Sequence, residues 1–135
     1  MNEIARLLAE AKTIAVVGLS SDVFRPSYGV AEYLLAQGYR IIPVNPKETE
    51  IFGQRCFPDL ASIPEPVDIV DVFRRSEFVP DIMREAIRIR AKAVWLQEGV
   101  EHSAAAAEGR SAGLVVIENR CILKDHRRLS VTGRQ

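Results

Sequence analysis

The stretch TIAVVGLSSDVFRPSYGVAEYLLAQGY, Thr13 to Tyr39, decides the fold. An apolar run ends in Gly18, a polar loop follows, and an amphipathic segment begins after it. That succession writes a strand, a turn suited to phosphate, and a helix whose first N–H groups face the turn. Tyr28 to Gln37 sets Val30, Ala31, Leu34 and Leu35 on one stripe, and Gly38 follows as a stop signal. The glycine fingerprint of dinucleotide binders is absent: after Gly18 the next glycine is Gly29, with Arg25, Pro26 and Ser27 between them.

Working outward, four more apolar runs appear: RIIPV from Arg40, DIVDVF from Asp68, AKAVWL from Ala91 and LVVI from Leu114. Rich in Val and Ile and without strict alternation, they read as strands covered on both faces. Helical patterns separate most of them. Phe78 to Arg90 groups Ile82, Met83, Ala86, Ile87 and the stem of Arg90, with Pro80 near the start. Glu101 to Ala112 is alanine-rich and ends at Gly113, and the N-terminal MNEIARLLAEAK reads as a short amphipathic helix rather than a signal peptide. The connection after RIIPV holds Pro46, Gly53, Pro58, Pro64 and Pro66, so it predicts a loop with at most a turn of helix over Asp59 to Ser62. Strand and helix alternating this way predict an α/β fold: a doubly wound, five-stranded, mainly parallel sheet with helices on both faces, as one domain over residues 1–135.

Composition narrows the class. The 135 residues are 47% apolar and 27% charged, and 18 basic side chains cancel 18 acidic ones. A neutral chain has no long-range field for gathering nucleic acid or an anionic membrane, so any anion must be held locally. No apolar run is long enough to span a bilayer. Two cysteines, Cys56 and Cys121, make no disulfide framework and fit no zinc spacing. The expectation is a soluble protein of the reducing cytoplasm with both thiols free and no metal.

In such sheets ligands bind outside the carboxyl ends of the strands. The first strand ends in Gly18, Leu19, Ser20 and Ser21, and the second in Val44, Asn45, Pro46 and Lys47. The third ends in Phe73, Arg74, Arg75 and Ser76, and the fourth in Gln97, Glu98, Gly99 and Val100. Hydroxyls, a lysine, two arginines and a turn glycine thus converge on one edge. Arg25 suits a bidentate phosphate contact, and Ser27 suits either a helix N-cap or a ligand oxygen; the alternative is that both shape a solvated loop. Lys47 is set near the strand end by the Asn-Pro turn and is read as a ligand contact, while one of Arg74 and Arg75 can equally be surface charge.

A dinucleotide binder would place an acid at the end of the second strand to hold the ribose hydroxyls. Lys47 stands there instead, which suits an ADP carrying an extra phosphate better than NAD. A kinase-type phosphate loop is also missing.

IAVVGLSSDVFRPSYGVAEYLLAQGYRIIPVNPK, DIVDVFRRSEFVP, WLQEGV and NRCILKDH together resemble the small stand-alone CoA-binding proteins of bacteria and archaea. That family is similar to the N-terminal CoA-binding domain of the succinyl-CoA synthetase α subunit, and the match runs over nearly the whole chain. The resemblance implies a Rossmann-like fold and coenzyme A as cofactor. It implies Ser20, Ser21, Asp22 and Val23 around the CoA phosphates and Lys47 near the phosphorylated adenosine. It also implies Phe73, Arg74, Arg75, Gln97, Glu98 and Gly99 along the cofactor's path. The chain departs from the synthetase domain at Ser21, where the synthetase has glycine.

The related synthetase works through a phosphorylated histidine in a second domain that this sequence does not include. His102, at a helix start, and His126, in the charged LKDHRRL, read as solvated or capping. Cys121, with Arg120, Lys124 and His126 near it, is either a candidate thiolate able to pair with the CoA thiol or a small buried apolar residue. Asp68 and Asp71 read as one acid at a strand start and one capping a neighbouring loop, and Trp95 reads as core. No nucleophile–base pair assembles. The leading expectation is therefore binding of CoA or an acyl-CoA without catalysis. The alternative is an enzyme or subunit of an acyl-CoA synthetase-like or NADP-dependent system needing a partner. A homodimer through an edge strand or the C-terminal tail is left open.

Overall fold

The computed structural model describes residues 2–133. In chain order the elements are α1 (Glu3–Glu10), β1 (Thr13–Val17), α2 (Pro26–Ala36), β2 (Arg40–Val44), the short β3 (Glu50–Ile51) and β4 (Gln54–Arg55), β5 (Ile69–Val72), α3 (Val79–Arg88), β6 (Ala93–Leu96), α4 (Ser103–Ser111), β7 (Val115–Ile117) and α5 (Ile122–Gly133). Each of the five apolar runs forms a strand of one sheet, ordered β2-β1-β5-β6-β7, and every neighbouring pair is parallel. The chain winds one way from β1 to β2, then crosses back to β5. Strand order therefore reverses between β1 and β5, which puts helices on both faces and opens a crevice at that point.

Successive strand side chains point to opposite faces, so each strand feeds two cores. Ile14, Val16, Ile41, Ile69 and Trp95 pack with Leu8 of α1, Leu34 of α2 and Ile122 of α5. Ala15, Val17, Ile42, Val70, Val94 and Leu96 pack with Met83 and Ala86 of α3 and Ala106 of α4. Trp95 is wholly buried, as expected, and its Nε1 donates to the Arg120 carbonyl at 2.8 Å. Full burial of each such aliphatic or aromatic side chain contributes about 1.5–3 kcal/mol, which is why runs of only four or five residues suffice.

Several local expectations are corrected. The connection predicted as loop contains the antiparallel hairpin β3–β4 besides the short helical turn over Leu60–Ser62. Its two-residue turn, Phe52 and Gly53, has positive φ at both positions (57° and 71°), the geometry that joins twisted strands tightly. Helix α2 begins at Pro26 with Arg25 as N-cap residue, so Ser27 lies inside the first turn and is not the cap. Helix α3 stops at Arg88, and Arg90 is exposed with φ 60°, so its stem joins no apolar stripe.

His126 is also not where a charged tail would leave it. It lies on α5 and is 2% exposed, edge-on to Tyr33 and Tyr39, with Nδ1 hydrogen-bonded to the Tyr33 hydroxyl at 2.7 Å. Ile122 and His126, four residues apart, form one inward face of a helix whose arginines point out. Of the two strand acids, Asp68 does stand at the strand start, accepting from the amides of Lys12 (2.8 Å) and Thr13 (3.0 Å). Asp71 caps nothing. It sits mid-sheet between Val16 and Trp95, fully buried, and neither carboxyl oxygen has a hydrogen-bond partner. Burial holds its pKa well above the ordinary carboxylate range, so it is carried as the neutral acid.

Among the described residues no helix is long and apolar enough to cross a membrane.

Candidate functional site

Gly18 marks the point where the strand order reverses. Its φ is 88°, and a Cβ built there would lie 2.5 Å from the Phe73 carbonyl oxygen. Only glycine allows both the left-handed turn and the close approach of the β1 and β5 ends. Beyond it opens a cleft of about 870 Å³ at the carboxyl ends of the strands.

The β1–α2 connection supplies Gly18, Ser20, Arg25 and Ser27 to the cleft. Ser27 is buried, and its hydroxyl accepts from the Ser20 amide at 3.1 Å, so it shapes the loop from within the helix. From the end of β2 come Asn45, Pro46 and Lys47. The Asn45 side chain donates to the Leu19 carbonyl (3.0 Å) and accepts from the Lys47 amide (2.9 Å), tying the two loops together and fixing the lysine's backbone. The β5 and β6 ends add Phe73, Arg74, Gln97 and Glu98. Gln97 is buried and accepts from the Ile122 amide at 3.2 Å, so it anchors the start of α5.

The remaining sequence-derived residues stand at the margin. Ser21, Asp22 and Val23 form the exposed outer part of the β1–α2 loop, where the Asp22 carboxylate accepts from the Phe24 amide at 2.9 Å. Arg75 turns away to Glu77 at 3.5 Å. Gly99 takes a φ of 85° in its turn and donates its N–H to Asn119 at 2.7 Å.

The charges along the cleft are unevenly matched. Arg25, Lys47 and Arg74 form no ion pair with any carboxylate among the described residues; Arg74 lies over the Phe78 ring at 4.2 Å. The acids, by contrast, are engaged. Glu98 pairs with Lys124 at 3.0 Å, and Glu85 accepts from the Leu60 amide at 3.0 Å. The amide of Ser27, in the first turn of α2, has no acceptor among the described residues. Cations without partners beside a helix N-terminus have the charge that suits a polyanion.

The opposite wall was not legible in advance. Pro58, Asp59 and Leu60 from the proline-rich connection and Ile82 and Glu85 from α3 face the cleft, with Val17, Val44 and Val100 adding apolar surface. No motif marks these residues, because only the packing of α3 against that connection brings them to the strand ends.

Cys121 also lines the cleft. The basic groups around it are committed elsewhere: Arg120 makes a bidentate pair with Asp125 (2.6 and 2.7 Å), Lys124 serves Glu98, and His126 turns to Tyr33. Asp125 is consequently held below the usual carboxylate range: burial pushes it up, and Arg120 and Arg128 more than offset that. Cys56 is buried, donates to the Asn45 carbonyl at 3.4 Å, and has its thiol pushed up by burial. His102 caps α4, its Nδ1 accepting from the Ala105 amide at 3.1 Å.

Known proteins share this architecture. The chain is 40% identical over 124 residues to the uncharacterized protein YneT of Bacillus subtilis, covering 92% of each. A solved structure, ID.343 from Thermus thermophilus, is 41% identical with a TM-score of 0.91, covering 96% of this chain and 99% of that one. A longer relative is the ADP-forming acetate–CoA ligase II of Archaeoglobus fulgidus, 33% identical over 76 residues; the match covers 55% of this chain but 11% of the ligase. The family model for the CoA binding domain matches residues 12–127. With the five-stranded parallel sheet, the reversal of strand order at Gly18 and a cleft at the strand ends, that match means that the chain belongs to the CoA-binding domain family.

Proposed function

We propose that this chain binds coenzyme A, free or acylated, at the carboxyl ends of β1, β2, β5 and β6, as one domain without catalysis of its own. The observation that carries this reading is the set of three cleft cations, Arg25, Lys47 and Arg74, left without carboxylate partners beside the N-terminal turn of α2 at Ser27. CoA brings a diphosphate and a third phosphate on the ribose, and these residues fit that charge. Arg25 and the Ser20–Val23 loop serve the diphosphate, with Ser27 holding the loop's shape. Lys47, set by Asn45 and Pro46, serves the ribose phosphate. Phe73, Arg74, Gln97 and Glu98 flank the uncharged arm, with Arg75 and Gly99 at its outer margin. The apolar surface of Val17, Val44, Leu60 and Val100 suits that arm. The acids that line the cleft are all engaged, Glu48, Asp59 and Glu85 by backbone amides and Glu98 by Lys124, and no histidine lines it, which supports binding over turnover. The reading places the protein in the cytoplasm, where both thiols stay reduced.

Calorimetric titration with CoA, dephospho-CoA and NAD tests this. CoA is expected to bind most tightly, dephospho-CoA more weakly and NAD least. Absence of CoA binding overturns the reading, and equal affinity for dephospho-CoA removes the role given to Lys47.

A second reading, a subunit acting with a separate partner, is supported by the match to a ligase in which the shared segment is 11% of the length. Isolation with a larger companion chain favours it; native mass spectrometry of the purified protein gives the companion, the oligomeric state and any retained ligand together.

A further inference from the structure

Four N–H groups of the β1–α2 loop are satisfied by the loop itself and the start of α2. Ser20 donates to the Ser27 hydroxyl (3.1 Å), Asp22 to the Ser20 hydroxyl (3.0 Å), Phe24 to the Asp22 carboxylate (2.9 Å) and Arg25 to the Asp22 carbonyl (3.0 Å). Ser21 is different. Its amide donates across the mouth of the cleft to Oε2 of Glu48, at 2.8 Å. Glu48 lines the cleft and lies in the turn after β2, one residue beyond Lys47, with its own amide on the Asn45 carbonyl at 3.3 Å.

The placement of this acid is unusual for its surroundings. Three cations without carboxylate partners line the same cleft, yet Glu48 forms an ion pair with none of them and instead takes a backbone N–H of the phosphate-suited loop. A carboxylate accepting there has the charge and the acceptor geometry of a phosphate oxygen. A second tie, from Asn45 to the Leu19 carbonyl at 3.0 Å, joins the same two loops deeper in the cleft. The Asn45 tie leaves the Ser21 amide untouched; the Glu48 contact covers it.

We infer that Glu48 is an internal stand-in for a ligand phosphate: it latches the β1–α2 loop to the β2–β3 turn until a phosphate-bearing ligand displaces it from the Ser21 amide. The latch works by competition. A ligand that carries a phosphate to this amide replaces the carboxylate, frees Glu48 to swing outward, and brings the neighbouring Lys47 turn under ligand control. A ligand without such a phosphate leaves the latch closed, so the contact adds selectivity for polyanions at the expense of affinity. This inference rests on the reading that a phosphorylated ligand enters the cleft, and it is separable from the identity of that ligand.

The test compares the wild-type chain, Glu48→Gln and Glu48→Ala by calorimetry with two probes, CoA and inorganic pyrophosphate, while NMR follows the Ser21 amide. Glu48→Ala is expected to bind both probes roughly three- to tenfold more tightly, the size of one competing hydrogen bond. Glu48→Gln, which keeps an acceptor oxygen and loses the charge, gains less. Glu48→Ala shifts the Ser21 resonance by removing its acceptor, and each probe moves the resonance of that variant back toward the wild-type position. Pyrophosphate tightening without any CoA binding leaves the latch standing and removes the CoA reading. CoA binding equally well or more weakly in both variants overturns the latch and keeps the CoA reading. Failure of both probes to bind any of the three proteins overturns both.

Discussion

The two ends of the sheet treat charge in opposite ways. At the amino ends of β2, β5 and β6, charges are matched. Asp68 accepts from the amides of Lys12 and Thr13 and lies 3.4 Å from Lys92, while Arg40 pairs with Glu65 at 2.5 Å. At the carboxyl ends, Arg25, Lys47 and Arg74 have no carboxylate partner, and the Ser27 amide has no acceptor among the described residues. Charges that serve the fold arrive with their counterparts, since an unmatched group gains nothing for stability. On the proposed reading, the charges left open at the carboxyl edge serve a ligand. Between the two ends lies Asp71, an acid with neither a partner nor solvent.

The strongest way to break the contrast is to remove the open cations together. Arg25→Ala, Lys47→Ala and Arg74→Ala combined should weaken CoA binding more than about a thousandfold, because each charge-assisted contact is worth roughly 1.5–3 kcal/mol. The melting temperature should move by no more than about 3 °C, as for other surface changes. Calorimetry and a thermal melt measure both, and retained affinity would mean these side chains are ordinary surface charge.

Next in size is Asp71→Asn, read by urea unfolding across pH. The Asp71 carboxyl is held above its unfolded value by burial, so its contribution is fully present below about pH 3.9 and is lost as pH rises toward the folded pKa. The asparagine variant lacks this loss. It should match the wild-type chain near pH 4 and gain on it by about 1.4 kcal/mol per pH unit above that. A difference that does not change with pH would mean that Asp71 is not held neutral in the fold.

Asp68→Ala should have the smallest effect and the opposite pH signature. Burial pushes the Asp68 carboxyl up, but the Lys12 and Thr13 amides and Lys92 more than offset it, so it lies below the usual range. Its stabilisation is present above the unfolded pKa and lost as pH falls through the lower, folded value. The variant should lose about 1–3 kcal/mol at pH 7 and less in acid, with CoA affinity unchanged. A matching loss of CoA affinity would show that the two ends of the sheet are not independent.

Much of the lining of the cleft was legible in the sequence. Gly18, Ser20, Arg25, Asn45, Lys47, Arg74 and Gln97 line the cleft where the ends of apolar runs put them, because the carboxyl edge of a parallel sheet follows from strand order alone. Residues whose role depends on a distant neighbour were not legible. His126 looked solvated in a basic tail, yet Tyr33, ninety-three positions away, receives it inside the core. Arg120 and Lys124 looked like activators of Cys121 until Asp125 and Glu98 were seen to hold them.

What the sequence by itself determined is the frame. Five Val- and Ile-rich runs with helical patterns between most of them can bury their apolar surface on both faces only as a covered parallel sheet, and Gly18 is needed where β1 turns beside β5. What only the tertiary structure decided is which polar groups meet. The apolar wall of Leu60 and Ile82, the isolation of Asp71 and the Glu48 carboxylate on the Ser21 amide all join residues from separate elements. Hydrophobic burial follows a local pattern of residue types, whereas a hydrogen bond or its absence depends on the placement of single atoms brought together by the whole fold.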